Sequence, residues 1–519
     1  MVFSTRLSKI GSLHRGMLVV RNTAWNIFGY GFPAFIALFA IPALISGLGA
    51  SRFGVLSIAW TVVGYLSLID LGLGRATTKL LTPCFQTNDG KQLAELAAAS
   101  LLAHAGVGLL GGMLIALLTP WFSGTLFLIP SDLQSETRIV FYLLALSVPM
   151  IVVTSSARGI LEAAQKFELI NLIKIPASSL NYLAPLLVLP FSHSLIPIVG
   201  MLVVNRAVVM FVYLAICNHM APLSLSPKPE HLDSIRGLLS FAGWAILSGL
   251  IAPVTVSIDR FALGAQVSME SVAYYTAPFE IVTRMVILSA SFVTVLFPIF
   301  SAMGRADAKE ISLLSGRALR CLFLMVCPLV GLLLVFIPDL LSLWLGAEYA
   351  QHSTPAARIL TLGILIHMLG FVPFTVLQGF GRADITAKLQ LAQMLPYCAL
   401  IWYMAGAFGI EGVALAWTGR VAIDALLLFN AENRIIQVTP RLALFRGIAG
   451  MALASLIFLA GCWIIPILVR PPWLRVVVAV GWCLGISLWN WRFLLGCEDR
   501  RSVSRALSSA ILNASKGRF

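Results

Sequence analysis

Residues 53–81, FGVLSIAWTVVGYLSLIDLGLGRATTKLL, join a long apolar run to a charged end. The apolar part is long enough to cross a bilayer as a helix. Its end carries Asp70, Arg75 and Lys79, with Gly72 and Gly74 between them. Glycines before a lysine resemble a phosphate-binding loop, but that loop needs G-x-x-x-x-G-K-[ST] after a strand. The stretch therefore predicts a membrane helix with a charged end and no nucleotide site.

The composition extends this interpretation to the whole chain. Of the 519 residues, 59% are hydrophobic and 11% are charged, with a mean hydropathy of +0.92. A soluble protein of this size carries about twice that share of charge. The 8 cysteines are scattered without ligand-type spacing, and we interpret them as small apolar residues. The composition indicates an all-α polytopic membrane protein that has no metal site.

Apolar stretches long enough to span a bilayer recur from end to end, and we predict about 14 transmembrane helices. The predicted spans are residues 24–47, 53–74, 95–118, 139–156, 169–189, 195–217, 237–259, 271–298, 318–337, 358–378, 386–407, 411–430, 447–469 and 473–491.

The loops between these spans alternate between basic and nearly neutral, and most of the 36 lysines and arginines fall on one side. The positive-inside rule places that side, and both termini, in the cytoplasm of a cell with a cytoplasmic (inner) membrane. The net charge of +14 is thus interpreted as a topology signal. The basic residues are expected to contact membrane lipids and not nucleic acid. The basic residues predicted on the outer side are Arg52, Arg138, Arg260, Arg358, Arg470 and Arg475.

The two halves of the chain repeat. Residues 44–60 match 260–277, residues 158–170 match 378–390, and residues 205–218 match 419–433, which aligns Arg206 with Arg420. Each repeat has six spans, so both enter the membrane from the same side, as in transporters whose two bundles rock about a central site. We therefore predict two parallel six-helix bundles around a central cavity, followed by two extra helices.

The repeat sets the predicted domain boundaries. An N-terminal amphipathic segment lies on the cytoplasmic membrane surface and precedes the first bundle; a cytoplasmic linker joins the bundles, and a basic cytoplasmic tail ends the chain. These parts are 1–21 (amphipathic segment), 22–220 (first bundle), 221–236 (linker), 237–435 (second bundle), 436–495 (helices 13 and 14) and 496–519 (tail).

Residues 21–81 resemble the opening of the Wzx-type polysaccharide-biosynthesis flippases, within the multidrug/oligosaccharidyl-lipid/polysaccharide (MOP) exporter superfamily. The resemblance is carried by the L-G-x-x-x-F-G junction at Leu48 to Gly54 and by the D-L-G-L-G-x-A run at Asp70 to Ala76. The stretch SIDRFALG (257–264) is similar to the family's second-half junction. The resemblance implies a flippase for undecaprenyl-diphosphate-linked oligosaccharide, with a polysaccharide polymerase and export machinery as partners.

Three arginines fall near the middle of predicted spans: Arg206, Arg284 and Arg420. A charge at the bilayer centre costs about 2.5–3.5 kcal/mol on insertion scales, so such residues need a function. One interpretation is a cationic cavity that receives a diphosphate, because the guanidinium fork binds phosphate oxygens in pairs. The alternative is a set of ion pairs that lock helices, since Glu280 and Asp424 each lie four residues from an arginine.

Other charged residues have less central positions. Lys174 is a further candidate for binding the substrate, although it could instead reach the headgroups. Asp70 and Arg75 are predicted to hold the cytoplasmic mouth, while Asp259 and Arg260 form a gate or a topology anchor at the outer end of span 7. Two mid-membrane histidines, His104 and His367, are interpreted as core residues rather than proton carriers.

Alternative functions stay open at this point. The alternatives are a multidrug or organic-cation antiporter of the same superfamily and a lipid II flippase, although the lipid II flippases' signature is absent from the first spans. An enzyme is not predicted, because no long outer loop carries a catalytic set. No cofactor is expected. The energy is predicted to come from the membrane potential, with an inward proton or sodium ion at Glu280 or Asp424 as the second source.

Overall fold

The computed structural model describes residues 35–62, 90–220, 257–302 and 308–436, together with most of 74–87 and most of 457–493. The predicted amphipathic segment, the linker 221–236, the basic tail and the residues Asp70, Arg75 and Lys79 lie outside the described residues. Every long element among the described residues is a helix, as the composition predicts.

In the first half, the described residues form the labelled helices given next, a further helical stretch at 80–85 and a short π-helix at Phe122–Leu126. The helices are α1 (Phe35–Val62), α2 (Gly90–Trp121), α3 (Gln134–Ala163), α4 (Phe167–Val188), α5 (Leu195–Met220) and α6 (residues 257–266). The second half contains α7 (Met269–Arg284), α8 (Val286–Ala302), α9 (Ala308–Leu345), α10 (Ala347–Gly379), α11 (Ala383–Ile436) and α12 (Pro472–Phe493).

Eight helices of the described part are long and apolar enough to cross a membrane. Two of them include a turn at a glycine with positive φ. Gly49 (φ 79°) divides α1, and Gly409 (φ 56°, ψ −135°) divides α11. Only glycine adopts this backbone at no steric cost, so each position ends one predicted span and allows the next to begin. The total of about 14 spans stays a prediction.

Several helices extend beyond the predicted spans. The helices α3 and α9 begin before residues 139 and 318 and end after residues 156 and 337. Hydropathy marks only the apolar part of a helix, whereas the backbone hydrogen bonds continue into the polar flanks. The predicted span 271–298 is instead divided at Met285, between α7 and α8. The break does not coincide with Pro278, which lies within α7.

The chain forms two compact units, Met1–Ala273 and Tyr274–Phe519. In the first unit, α3 packs against both α2 and α5. Glycines allow these helices to approach closely: a Cβ added at Gly108 would lie 2.6 Å from Pro149 Cα, and one at Gly112 would lie 2.7 Å from the Ala145 carbonyl oxygen. Small residues at such contacts are typical of membrane helix packing.

In the second unit, α10 packs against α8, α9 and α11. The C-terminal helical residues attach to α9. Phe458 fills the space above Gly331, Cys483 Sγ lies 3.7 Å from the Pro328 carbonyl oxygen, and Arg475 Nη1 lies 2.6 Å from Asp339 Oδ2. All described cysteines are free thiols, and most are buried, as expected for apolar packing residues.

Candidate substrate and coupling site

Arg206 lies in the middle of α5, half-buried against α3. Its Nη1 donates a hydrogen bond to Ser147 Oγ at 3.4 Å. Ser147 is fully buried and donates its own proton to the Leu144 carbonyl oxygen at 2.7 Å, which leaves its lone pairs to accept. Arg206 forms no ion pair with any residue that the structure describes. Its positive charge is therefore held by a neutral hydroxyl and is available to an anion.

Arg284 is the last residue of α7, directly before the helix break at Met285. Its Nη2 lies 3.2 Å from Glu280 Oε2, one turn earlier on the same helix. The Arg284 side chain remains 40% exposed, so a second partner can reach the guanidinium. Interrupted helices within membranes commonly line substrate or ion sites, because the break frees backbone groups.

Arg420 and Asp424, the second pair with four-residue spacing, do not form the ion pair that this spacing allows and that the alternative interpretation requires. The guanidinium of Arg420 lies over the Tyr397 ring, with 5.0 Å between Cζ and the ring centroid. Asp424 Oδ1 instead accepts a hydrogen bond from Gln393 Nε2 at 2.9 Å. Both alternative partners lie before Gly409 on α11, so the turn at Gly409 brings them against the second half of that helix. Cation–π contact with the tyrosine thus replaces the expected carboxylate.

A cavity of about 160 Å³ lies beside this pair, between α10 and α11. Its polar lining consists of His367, Asp424 and Gln390, and the rest is apolar. His367 contacts Phe371 at 5.3 Å and Trp417 at 6.3 Å between ring centroids. The sequence did not join His367 to Asp424, because hydropathy does not reveal which faces of two helices meet.

Lys174 lies in the first half of α4 and is half-buried. Its assignment as a substrate residue stays a prediction.

Asp259 and Arg260 are both buried within the first unit. Arg260 Nη1 donates to Thr61 Oγ1 at 3.3 Å, and Asp259 Oδ1 accepts from the Arg260 backbone N–H at 2.8 Å. These contacts attach α6 to the end of α1. The pair is therefore placed inside the helix packing rather than on an exposed loop.

The end of the opening stretch packs closely against α3, although Asp70 and Arg75 themselves are not described. A Cβ on Gly159 would lie 2.5 Å from the Gly74 carbonyl oxygen and 2.9 Å from Thr77 Cβ. Thr78 Oγ1 donates to the Gly159 carbonyl oxygen at 3.1 Å and lies 3.2 Å from Glu162 Oε2. The segment is thus positioned by small residues and hydroxyl groups.

Two polar groupings in the first unit were not predicted. Ser100 Oγ lies 2.8 Å from Thr77 Oγ1 and 3.0 Å from Ser156 Oγ, and His104 Nδ1 donates to the Ser100 carbonyl oxygen at 2.7 Å. This buried network supports the interpretation of His104 as a core histidine.

Glu136 forms the second grouping. Its carboxylate accepts from Arg52, from Ser194 Oγ at 2.8 Å and from the Leu195 N–H at the start of α5. Neither grouping could be predicted from residue spacing along the chain, because each joins helices that are distant in sequence.

Comparison with known proteins agrees with this architecture. The family described as "Polysaccharide biosynthesis protein" matches residues 19–303. A "Putative O-antigen transporter" from Shigella flexneri is 28% identical over 422 residues, covering 81% of this chain and 99% of that protein.

Solved structures with the same fold come from transporters and flippases. The lipid II flippase MurJ in an inward closed conformation gives a TM-score of 0.70 at 12% identity, covering 91% of this chain and 99% of that one. An inward-facing multidrug-resistance MATE family transporter of the MOP superfamily gives 0.62 at 16% identity, covering 79% and 96%. At these identities the likeness concerns the fold alone. The matched residues, the relative and the fold together confirm the resemblance seen in the opening stretch: the chain belongs to the polysaccharide biosynthesis protein family.

Proposed function

We propose that this protein is a flippase that moves undecaprenyl-diphosphate-linked oligosaccharide, such as an O-antigen or exopolysaccharide repeat unit, from the cytoplasmic to the outer leaflet of the inner membrane. It would do so by alternating access. One observation carries the proposal: this chain belongs to a polysaccharide biosynthesis family and has arginines within membrane helices in both halves of its repeat.

The arginines suit this cargo for a physical reason. A lipid-linked diphosphate carries about two negative charges, which must leave water to cross between leaflets. Arg206 and Arg420 form no ion pair with any described residue; a hydroxyl and an aromatic ring hold them instead. A guanidinium with this surrounding can exchange its weak neutral contact for a bidentate phosphate contact. Arg284, exposed beside the helix break, is the third proposed ligand.

The proposed architecture also covers the residues that the structure does not describe. It has 14 spans, with six-helix bundles at 22–220 and 237–435 and helices 13 and 14 at 436–495, and both termini lie in the cytoplasm. The positive-inside distribution supports this orientation. The lipid-linked oligosaccharide and membrane lipids are the direct partners, and a polysaccharide polymerase and export machinery would act on the delivered glycan.

The energy source in this proposal is the membrane potential, which acts on the anionic headgroup. Glu280 and Asp424 are the acids at which a proton or sodium ion would add to that drive. Lys174 would meet the headgroup near the cytoplasmic side. Asp70, Arg75, Asp259 and Arg260 would control access at the two ends.

The competing functions have less support. An organic-cation antiporter should present unpaired acids to its cargo, whereas Glu280 is paired with Arg284 and Asp424 is bonded to Gln393. The likeness to a lipid II flippase is one of fold, at 12% identity. The relatives found are transporters rather than enzymes.

Loss of the protein provides the test. A cell that lacks it should accumulate the lipid-linked oligosaccharide in the cytoplasmic leaflet, and the corresponding glycan should disappear from its surface. Re-expression of the wild-type chain should restore the glycan. A deletion that instead raises drug sensitivity would favour the antiporter, and one that halts peptidoglycan synthesis would favour the lipid II flippase.

A further inference from the structure

The cavity between α10 and α11 contains two groups that can exchange a proton. His367 on α10 and Asp424 on α11 both line it, together with Gln390. Its volume of about 160 Å³ is room for a few water molecules, because each occupies about 30 Å³ in the liquid. Phe371 and Phe374 form much of the remaining wall. A histidine and a carboxylate on facing helices, joined by a space for water, form a site that can hold a shared proton.

The hydrogen bonds leave the imidazole available. Asp424 Oδ1 accepts from Gln393, which fixes the carboxylate at the cavity edge. His367 makes only ring contacts, to Phe371 and Trp417, and forms no hydrogen bond with the residues that the structure describes. Its nitrogens can therefore bond to water or to a ligand in the cavity.

The nearest charged groups to His367 that the structure describes lie on two elements, α11 and α7. On α11, Asp424 lines the cavity together with His367, and Arg420 lies one turn before Asp424 on the same helix. On α7, Phe279 packs against Trp417 at 5.6 Å between ring centroids, and the next charged groups are Glu280 and Arg284, which pair with each other. An anion that binds Arg420 would neutralise the positive charge one turn from Asp424, so that a proton bound in the cavity would meet less repulsion.

The repeat provides an internal comparison. The register that aligns residues 158–170 with 378–390 places Ser147 opposite His367. The register that aligns Arg206 with Arg420 places Met210 opposite Asp424. Both halves thus keep an arginine on this helix, but at the two aligned positions only the second half has side chains that titrate, His367 and Asp424. In the first half, Arg206 instead donates a hydrogen bond to the neutral hydroxyl of Ser147.

We infer that the cavity lined by His367 and Asp424 is a proton-binding site whose occupancy is linked to anion binding at Arg420. This inference deepens the proposed function, on which it rests for the identity of the anion as a diphosphate. Linkage is reciprocal, so a bound proton tightens diphosphate binding and a bound diphosphate draws a proton into the cavity. In this inference the proton travels with the headgroup and reduces its negative charge by one, so at Asp424 it replaces the inward ion of the proposed function and lowers the drive from the potential.

Trp417 gives a readout that does not depend on any ligand. A protonated imidazole quenches a neighbouring indole, and the two rings are 6.3 Å apart. Tryptophan fluorescence of the full-length protein in detergent should therefore fall on acidification. The pH-dependent part should disappear in H367Q and in W417F. H193Q is the matched control, because His193 lies exposed between α4 and α5, and it should behave as the wild type does.

The linkage is tested with UDP-glucose, a diphosphate diester whose phosphates hold no titratable proton near neutral pH. Calorimetry should give tighter binding in acid, at pH 4.5, than at pH 8, with proton uptake on binding. The variant H367S/D424M places in the second half the residues that the first half carries at these positions, so it should fold. It should bind UDP-glucose with an affinity that no longer depends on pH.

The outcomes are distinct. Unchanged fluorescence titration in H367Q, or pH-dependent binding that survives in H367S/D424M, would overturn the inference. If H367Q fails to fold, D424N carries the same test, since it keeps the shape of the aspartate but cannot ionise. A wild-type protein that shows the Trp417 titration but does not bind UDP-glucose would support the proton site and count against the diphosphate as cargo.

Discussion

Arg206 Nη1 on α5 lies 3.4 Å from Ser147 Oγ on α3, so a neutral hydroxyl holds a guanidinium in the middle of a membrane helix. An arginine kept only to join two helices would be expected to meet a carboxylate, because an ion pair offsets far more of the cost of burying a charge. A hydroxyl contact is weak enough to be exchanged for a phosphate during transport.

The first prediction concerns this residue. Arg206→Ala should reduce glycan export about ten- to a hundredfold, the loss expected for one charge-assisted hydrogen-bond contact, while membrane protein levels stay near normal. Arg206→Lys should restore part of the activity, because lysine binds phosphate as a point charge without the planar fork. Surface glycan and protein level would be measured in parallel.

Two controls accompany this test. Lys91→Ala removes an exposed basic residue at the start of α2 and should be silent. Ser147→Ala should have a smaller effect than Arg206→Ala, because the hydroxyl only orients the guanidinium. Export that survives in Arg206→Ala with full protein level would remove Arg206 from the substrate path.

The second prediction concerns Glu280 and Arg284 at the helix break, which serve either as a structural ion pair or as part of the substrate site. If Glu280 and Arg284 serve only as an ion pair at 3.2 Å, the exchanged variant E280R/R284E should restore export, since the pair can still form. We expect instead that the exchange fails, because the arginine then lies one turn away from the break at Met285. Equal protein levels in the single and double variants would show that folding is not the cause.

The sequence was sufficient to predict much of this structure. Span-length apolar runs predicted the helical architecture, and the L-G-x-x-x-F-G junction at Leu48 to Gly54 contains the turn at Gly49. Such features are predictable because membrane helices must satisfy their own backbone hydrogen bonds and turn where glycine permits it. The four-residue spacing likewise predicted the contact between Glu280 and Arg284.

Contacts between different helices were not predictable in the same way. The spacing of Arg420 and Asp424 is the same as that of the first pair, yet Tyr397 and Gln393 take their places as partners. Which residues meet depends on the turn at Gly409 and on how each helix is rotated about its axis. Neither quantity is recorded in a hydropathy pattern, and the cavity beside His367 was missed for the same reason.

The third prediction concerns the opening stretch. Gly159→Ala should lower the free energy of unfolding by about 1–3 kcal/mol, because the new methyl group would lie 2.5 Å from the Gly74 carbonyl oxygen. Gly200→Ala is the matched control: it is also helical, nothing lies within 4 Å of its added Cβ, and alanine favours the helix by about 0.5–1 kcal/mol. Thermal unfolding in detergent would measure both. A Gly159 variant as stable as the wild type would mean that the two segments can separate at little cost.

The last prediction concerns the driving force. A potential of 100 mV, negative inside, drives an anion outward by about 2.3 kcal/mol per charge, so a diphosphate gains about 4–5 kcal/mol, or about half of that if a proton accompanies it. Either value is a large part of the roughly 5.5 kcal/mol that moves a two-state carrier from almost wholly one state to the other. Vesicles containing the purified protein would be given a potential with potassium and valinomycin, and the transfer of a lipid-linked oligosaccharide between leaflets would be followed. Transfer toward the positive side should accelerate as the potential rises. Vesicles with the Arg206→Ala variant should respond about ten- to a hundredfold more weakly, and vesicles without protein should not respond. Transfer that is indifferent to the potential, or that requires ATP in the purified system, would refute this mechanism.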